Sequence, residues 1–118
     1  MLINSQNYRT VWMQDSFVYL INQQLLPHKF EIHECKNHID TADAIKTMIV
    51  RGAPAIGATG AFGMAQAALE FTGKDFENFK IHLRKAEQVL KSTRPTANDL
   101  FYGINVVLKE ILNNFDVD

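Results

Sequence analysis

Apolar residues change their spacing part-way along the chain: alternation and short clusters up to about residue 38, a three-and-four spacing after it. In the front part, Thr10-Val11-Trp12-Met13 and Phe17-Val18-Tyr19-Leu20-Ile21 are rich in β-branched and aromatic residues. Such residues fit a pleated, half-buried surface. The polar break Gln14-Asp15-Ser16 reads as a hairpin turn between two strands. A third strand is expected over Phe30 to Cys35, after the Leu26-Pro27 interruption, with Phe30 and Ile32 on one side and Glu31 and His33 on the other. The economical arrangement is a three-stranded antiparallel sheet with one covered face.

Helical periodicity begins at Asp40, a candidate N-cap with Asp43 three residues on. Ala44, Ile45 and Met48 then share a face, and this helix is expected to end near Val50. Pro54 suits the first turn of a second helix, where its missing N–H costs little, and that helix should run to about Phe71. Gly57, Gly60 and Gly63 recur along it. Each costs roughly 0.8–1.0 kcal/mol relative to alanine, so close packing of a neighbouring backbone is expected to offset them. Gly73 stops the helix, and Asp75 caps a third in which Phe76, Phe79, Leu83, Ala86 and Leu90 share a face. After Ser92-Thr93-Arg94-Pro95, Thr96 with Asp99 resembles a capping box. Leu100, Phe101, Ile104, Val107, Leu108 and Ile111 then form an amphipathic fourth helix ending near Asn113-Asn114. The expectation is an α+β fold, a small three-stranded antiparallel sheet followed by a four-helix bundle-like region. Residues 1–118 form one domain, β-rich over 1–38 and helical over 39–118.

Composition adds limits. The chain has 118 residues, 47% hydrophobic and 21% charged, which suits one folded core and argues against disorder. A net charge of -1 gives no general electrostatic reason to bind nucleic acid or anionic lipid. The longest weakly polar run, Pro54 to Leu69, is mostly Ala and Gly and too short to span a bilayer of roughly 30 Å. Met1 to Thr10 is too polar for a signal peptide. One cysteine, Cys35, excludes an internal disulfide and a multi-cysteine metal site and fits a reducing compartment, so a cytoplasmic domain is expected. His28, His33, His38 and Cys35 lie close in sequence but match no zinc spacing. They read as surface histidines and a packed thiol, and His82 as a surface residue. No metal is expected. Asp15, Asp40, Asp43, Asp75 and Asp99 are accounted for as turn or cap residues, which leaves no complete catalytic set.

Two segments carry candidate chemistry. Arg51-Gly52-Ala53-Pro54-Ala55-Ile56-Gly57 joins two helices and opens the second. A helix N-terminus offers unpaired N–H groups and partial positive charge. Gly52 and Ala53 let a ligand approach those amides, and Arg51 adds a planar, permanently charged donor fork. Together they would make a phosphate site; a tight inter-helix turn with a solvated arginine accounts for the same residues, and local physics favours the turn. Thr93-Arg94-Pro95-Thr96 is either a second arm of an anion clamp or a capped helix start with an exposed arginine, the latter being the commoner arrangement. Arg51 and Arg94 are 43 residues apart, and only a fold that returns the fourth helix to the second brings them together.

The first of these motifs resembles the N-terminal part of the methylthioribose-1-phosphate isomerase family, in the superfamily shared with the regulatory subunits of translation initiation factor 2B. Tyr8-Arg9-Thr10-Val11-Trp12, Leu26-Pro27-His28, Ala42 to Val50, Ala61-Phe62-Gly63-Met64-Ala65 and Thr93-Arg94-Pro95-Thr96-Ala97 extend the likeness over nearly the whole chain. The two signature motifs together favour the isomerase branch. The resemblance implies an aldose–ketose isomerisation of methylthioribose 1-phosphate in methionine salvage. It assigns substrate binding to Arg51, Gly52, Ala53 and Arg94. It implies no cofactor. Family members continue into a Rossmann-like domain that is absent here and holds the catalytic cysteine and aspartate; Cys35 does not match that cysteine's motif. The implied partners are a sugar phosphate, that second domain and, in the full-length enzyme, a second copy in a homodimer. The chain alone is expected to be inactive. The alternatives are a related isomerase acting on ribose 1,5-bisphosphate, a non-catalytic regulatory subunit, and a stand-alone domain that only binds a partner.

Overall fold

A computed structural model describes residues 2–3, 6–7, 11–22, 31–50 and 52–115. Strands β3 (Val11–Gln14), β4 (Phe17–Ile21) and β5 (Ile32–Cys35) form an antiparallel sheet in that order. Two short strands precede it, β1 (Leu2–Ile3) and β2 (Gln6–Asn7), paired with each other. Two-residue strands carry no alternation, so periodicity could not find them. Helices α1 (His38–Lys46), α2 (Ala53–Glu70), α3 (Phe76–Lys91) and α4 (Asn98–Phe115) follow. The α+β expectation holds, with helical structure starting one residue before the expected division at 39. No helix of the described residues is long and apolar enough to cross a membrane.

The β3–β4 hairpin pairs Gln14 with Phe17, leaving Asp15-Ser16 as the turn. Asp15 takes a left-handed φ of 57°, which a short polar side chain tolerates. Val18 opposite Cys35 and Leu20 opposite His33 fix the register of β5. The face of Cys35 is therefore the buried one, and Ile32 is turned outward and exposed. Phe30 lies outside the described residues, as do Leu26-Pro27-His28 and Thr10.

Helix α2 is the central element, touching the other three helices and strands β3 and β4. Met64, Leu83, Leu90, Leu100, Ile104 and Ile45 are all fully buried in one apolar cluster that includes Val18 and Leu20 of the sheet. Among them stands Gln66, also fully buried. Its amide nitrogen donates to the carbonyls of Ser16 and Cys35, each at 3.0 Å, and its oxygen accepts from the Thr41 hydroxyl. One side chain thus ties the hairpin turn, the end of β5 and α1 to α2. A buried amide is tolerable because its groups are satisfied.

The glycines of α2 face α4 and α3. A Cβ on Gly57 would lie 2.8 Å from the Asp99 carbonyl oxygen, and one on Gly103 of α4 would lie 2.2 Å from the Gly57 carbonyl oxygen. Backbone therefore meets backbone there, as the glycine spacing implied. Gly60 and Gly63 instead admit side chains, Leu100 with Ile104 and Leu90 respectively.

Several terminal assignments shift. The N-cap of α1 is Asn37, whose side chain accepts the Asp40 N–H at 2.9 Å. Asp40 is in the first turn and reaches back to the Lys36 N–H at 3.1 Å, so the box is Asn37 with Asp40 and not Asp40 with Asp43. Asp75 caps α3 as expected. Helix α4 starts at Asn98, so Thr96 lies in the preceding turn and does not cap it. His38 and His82 are not surface residues. His38 is buried with Nδ1 2.9 Å from a Glu70 carboxylate oxygen, and His82 is half-buried, its Nε2 donating to the Ala67 carbonyl at 2.7 Å. Both sit where α1 and α3 close on the end of α2, a junction invisible to local sequence. Cys35 is the packed thiol expected. Burial pushes its pKa up from 9.0 to about 11; the Thr41 hydroxyl pulls the other way, and Asp40, Asp43 and Glu34 reinforce the rise.

Two predictions follow from the packing. Gly103→Ala should destabilise the chain by about 3 kcal/mol or more, because the added methyl meets rigid backbone; urea unfolding measures it, and a loss under about 1 kcal/mol would show that the helices separate freely. For Cys35, the folded thiol holds its proton to higher pH than the unfolded one. Its contribution is therefore complete below pH 9.0 and is lost as pH rises toward about 11. Unfolding stability should fall by up to about 2 kcal/mol more across that window in the native chain than in Cys35→Ala.

Candidate functional site

Helices α1 and α3 begin behind side-chain caps, Asn37 and Asp75. Helices α2 and α4 do not. The N-cap of α2 is Gly52, which has no side chain to offer; its carbonyl accepts the Ile56 N–H at 2.9 Å. Helix α4 begins after Ala97, whose carbonyl accepts the Phe101 N–H at 3.2 Å. An alanine in place of a polar cap costs about 0.5–2 kcal/mol, and a glycine only a few tenths. The first-turn amides of both helices are left for water or a ligand.

These two starts lie side by side. The Gly57–Gly103 contact is near the beginning of each helix, so the crossing brings the N-termini together. Between them is a groove of about 490 Å³ lined by Met48, Gly52, Ala53, Ile56, Arg94, Ala97, Asn98 and Asp99. Three of the four site residues expected from sequence, Gly52, Ala53 and Arg94, are thereby brought to one place. The fourth, Arg51, lies outside the described residues. Arg94 is half-buried, not the exposed arginine of a simple capped turn, and among the described residues no carboxylate forms an ion pair with it.

Local backbone explains the exposure of the groove floor. Gly52 has φ 93° and ψ 132°, with open space where a Cβ would be. A side chain there is disfavoured by conformation and not by crowding. Pro54 follows in the first turn and removes one N–H that would otherwise need a partner. Asp99 sits in the first turn of α4, where a carboxylate favours the helix dipole, and Asn98 and Asp99 present groups able to bond sugar hydroxyls. Two helix N-termini and a guanidinium favour an anion, and the groove's apolar members, Met48 and Ile56, favour a ligand with a carbon skeleton. Among the described residues no cluster of His, Cys, Asp or Glu could hold a metal ion.

Sequence reasoning missed Met48 as a groove residue. It was placed on the core face of α1 by assuming the helix reaches Val50. The helix ends at Lys46 with Thr47 as its cap, and Met48 has a left-handed φ of 64°. Asp99 reads from sequence only as a cap residue and Asn98 carries no signal there, yet both line the groove.

The family model of the Initiation factor 2 subunit family matches residues 49–118, which include both site motifs. The chain belongs to that family. Among its relatives, the methylthioribose-1-phosphate isomerase of Thermosynechococcus vestitus is 48% identical over 101 residues, 86% of this chain and 28% of that one. The crystal structure of 5-methylthioribose 1-phosphate isomerase from Pyrococcus horikoshii OT3 superposes with a TM-score of 0.85 at 43% identity, covering 93% of this chain and 31% of that one. The translation initiation factor eIF-2B subunit delta from A. fulgidus gives 0.84 at 47% identity, covering 91% and 31%. This member of the family thus spans about a third of the length of the relatives it matches.

The cap geometry generates a paired prediction. Gly52→Ala should cost about 1–2 kcal/mol despite the open space around it. Ala97→Ser should add about 1 kcal/mol by supplying the missing cap. Chemical denaturation of the two variants should show opposite signs; equal signs would mean the helix starts are not as described.

Proposed function

We propose that this chain is the substrate-clamping portion of an aldose–ketose isomerase acting on 5-methylthioribose 1-phosphate. The observation that carries the reading is the convergence of Gly52, Ala53 and Arg94, from two separate motifs, on one groove at two uncapped helix N-termini. The names of the relatives support the choice of sugar phosphate. In this reading the phosphate lies on the amides at the start of α2, with Arg94 and Arg51 as charged partners. Residues 1–118 act as one domain.

The reaction breaks the ring bond between C1 and O4, moves the C2 hydrogen to C1, and passes the proton of the C2 hydroxyl to O4, so that C2 becomes the ketone while the phosphate stays on C1. A guanidinium offers only donors, so Arg94 cannot act as the base. Its part is to fix the phosphate so that the sugar carbons are held against acid–base groups supplied by the remainder of a chain of the relatives' length. Holding a reactant in place is itself a large share of catalysis. Alone, this chain binds weakly and does not turn substrate over.

The test is an NMR titration of the chain with methylthioribose 1-phosphate, following the Gly52 and Ala53 amides. They should shift saturably, no ketose should accumulate, and Arg94→Ala should weaken binding about tenfold or more, the scale of a lost charge-assisted bond. Unchanged affinity in Arg94→Ala would remove Arg94 from the clamp, and motionless amides would remove the reading.

A further inference from the structure

Resting on the clamp reading, we infer that Met48 is the residue that recognises the apolar end of the sugar phosphate. Thr47 ends α1, and the next two N–H groups close the helix: Met48 donates to the Ile45 carbonyl at 3.2 Å and Ile49 to the Ala44 carbonyl at 3.0 Å. This is the double-bonded helix stop in which the residue after the cap is left-handed, a position normally held by glycine or asparagine. Methionine holds it here, with φ 64°. A bulky side chain in that conformation is an outlier that calls for a compensating role.

Core packing does not supply one. Met48 is 43% exposed, in a chain whose Met64 is fully buried. At this left-handed turn Met48 lines the groove that holds Gly52, Ala53 and Arg94. The anion-binding elements and an exposed, polarisable apolar side chain therefore share one cavity. Methionine adapts its shape to a ligand and makes favourable contacts through sulfur. A phosphate alone has no use for such a wall, whereas a sugar phosphate carrying a methylthio group does. Ile56 supplies a second apolar contact, but it is buried in the core as well, so Met48 is the member free to respond to the ligand.

The chain labelled with ¹³C at its methionine methyls separates the possibilities. It is titrated with methylthioribose 1-phosphate and with ribose 1-phosphate, which carries a hydroxyl in place of the methylthio group. Both ligands should move the Gly52 and Ala53 amides, and only the first should move the Met48 methyl strongly. Met48→Asn and Met48→Gly fit the left-handed turn, so each should melt a few degrees higher than the native chain. Each should also bind methylthioribose 1-phosphate about fivefold more weakly, the scale of one lost methyl-sized apolar contact, with ribose 1-phosphate unaffected. Variants that gain stability and keep the native preference would overturn the inference, as would a Met48 methyl that stays still while the amides move; in both cases the clamp survives. Amides that respond to neither sugar phosphate would overturn the clamp and this inference together.

Discussion

The contact on which the site depends is the meeting of two backbones, Gly57 of α2 against Asp99 and Gly103 of α4. No side chain separates them, and any Cβ on Gly103 would penetrate the Gly57 carbonyl. Each helical glycine is intrinsically unfavourable by roughly 0.8–1.0 kcal/mol, and the close approach recovers that through dispersion along both helices. Its position matters more than its strength. Gly57 is about one turn into α2 and Asp99 lies in the first turn of α4. A crossing at that point places the two N-termini beside each other, whereas a crossing farther along would let them diverge. The groove is thus a geometric consequence of where the glycines fall.

The buried end of the molecule is organised by a different device. Gln66 reaches the hairpin turn and the end of β5, and His38 reaches Glu70 at the end of α2. These polar links hold the sheet and the start of α1 against α2, while the left-handed stop at Met48 sets where α1 ends. Because α1 ends where it does, Met48 and Gly52 fall beside the start of α2 and not over the core. Sheet, bundle and groove are coupled through one helix.

Much of this was legible in the chain because the rules involved are local. The β3–β4 hairpin declares itself through β-branched and aromatic clusters around Asp15-Ser16. The amphipathic faces of α3 and α4 follow from Phe79, Leu83, Leu90, Leu100 and Ile104. Gly52, Ala53 and Arg94 stood out as candidate site residues by their chemistry and by their resemblance to a known pair of motifs, but only the α2–α4 crossing joins them in one groove. What sequence could not give depends on tertiary context. The burial of His38 and His82 requires knowing that α1 and α3 meet the end of α2. The outward turn of Ile32 requires the strand register. Met48 was misplaced because its apolar character continues a helical pattern that the backbone has already abandoned.

The departures from local rules are not scattered. Helices α1 and α3, remote from the groove, have polar caps of the usual kind. Around the groove, α2 starts at a glycine with positive φ, α4 starts after an alanine, and α1 stops at a left-handed methionine. The alanine and the methionine each give up on the order of 1 kcal/mol relative to the best residue for the position, whereas Gly52 is the residue its positive φ favours. These features share one groove, which Met48, Gly52 and Ala97 all line. A cap side chain at Gly52 or Ala97 would occupy the amides that an anion needs, and a glycine at Met48 would leave that wall bare. On the clamp reading proposed above, an alanine before α4 and a methionine after α1 leave helix-start amides open and put an apolar residue on the same groove.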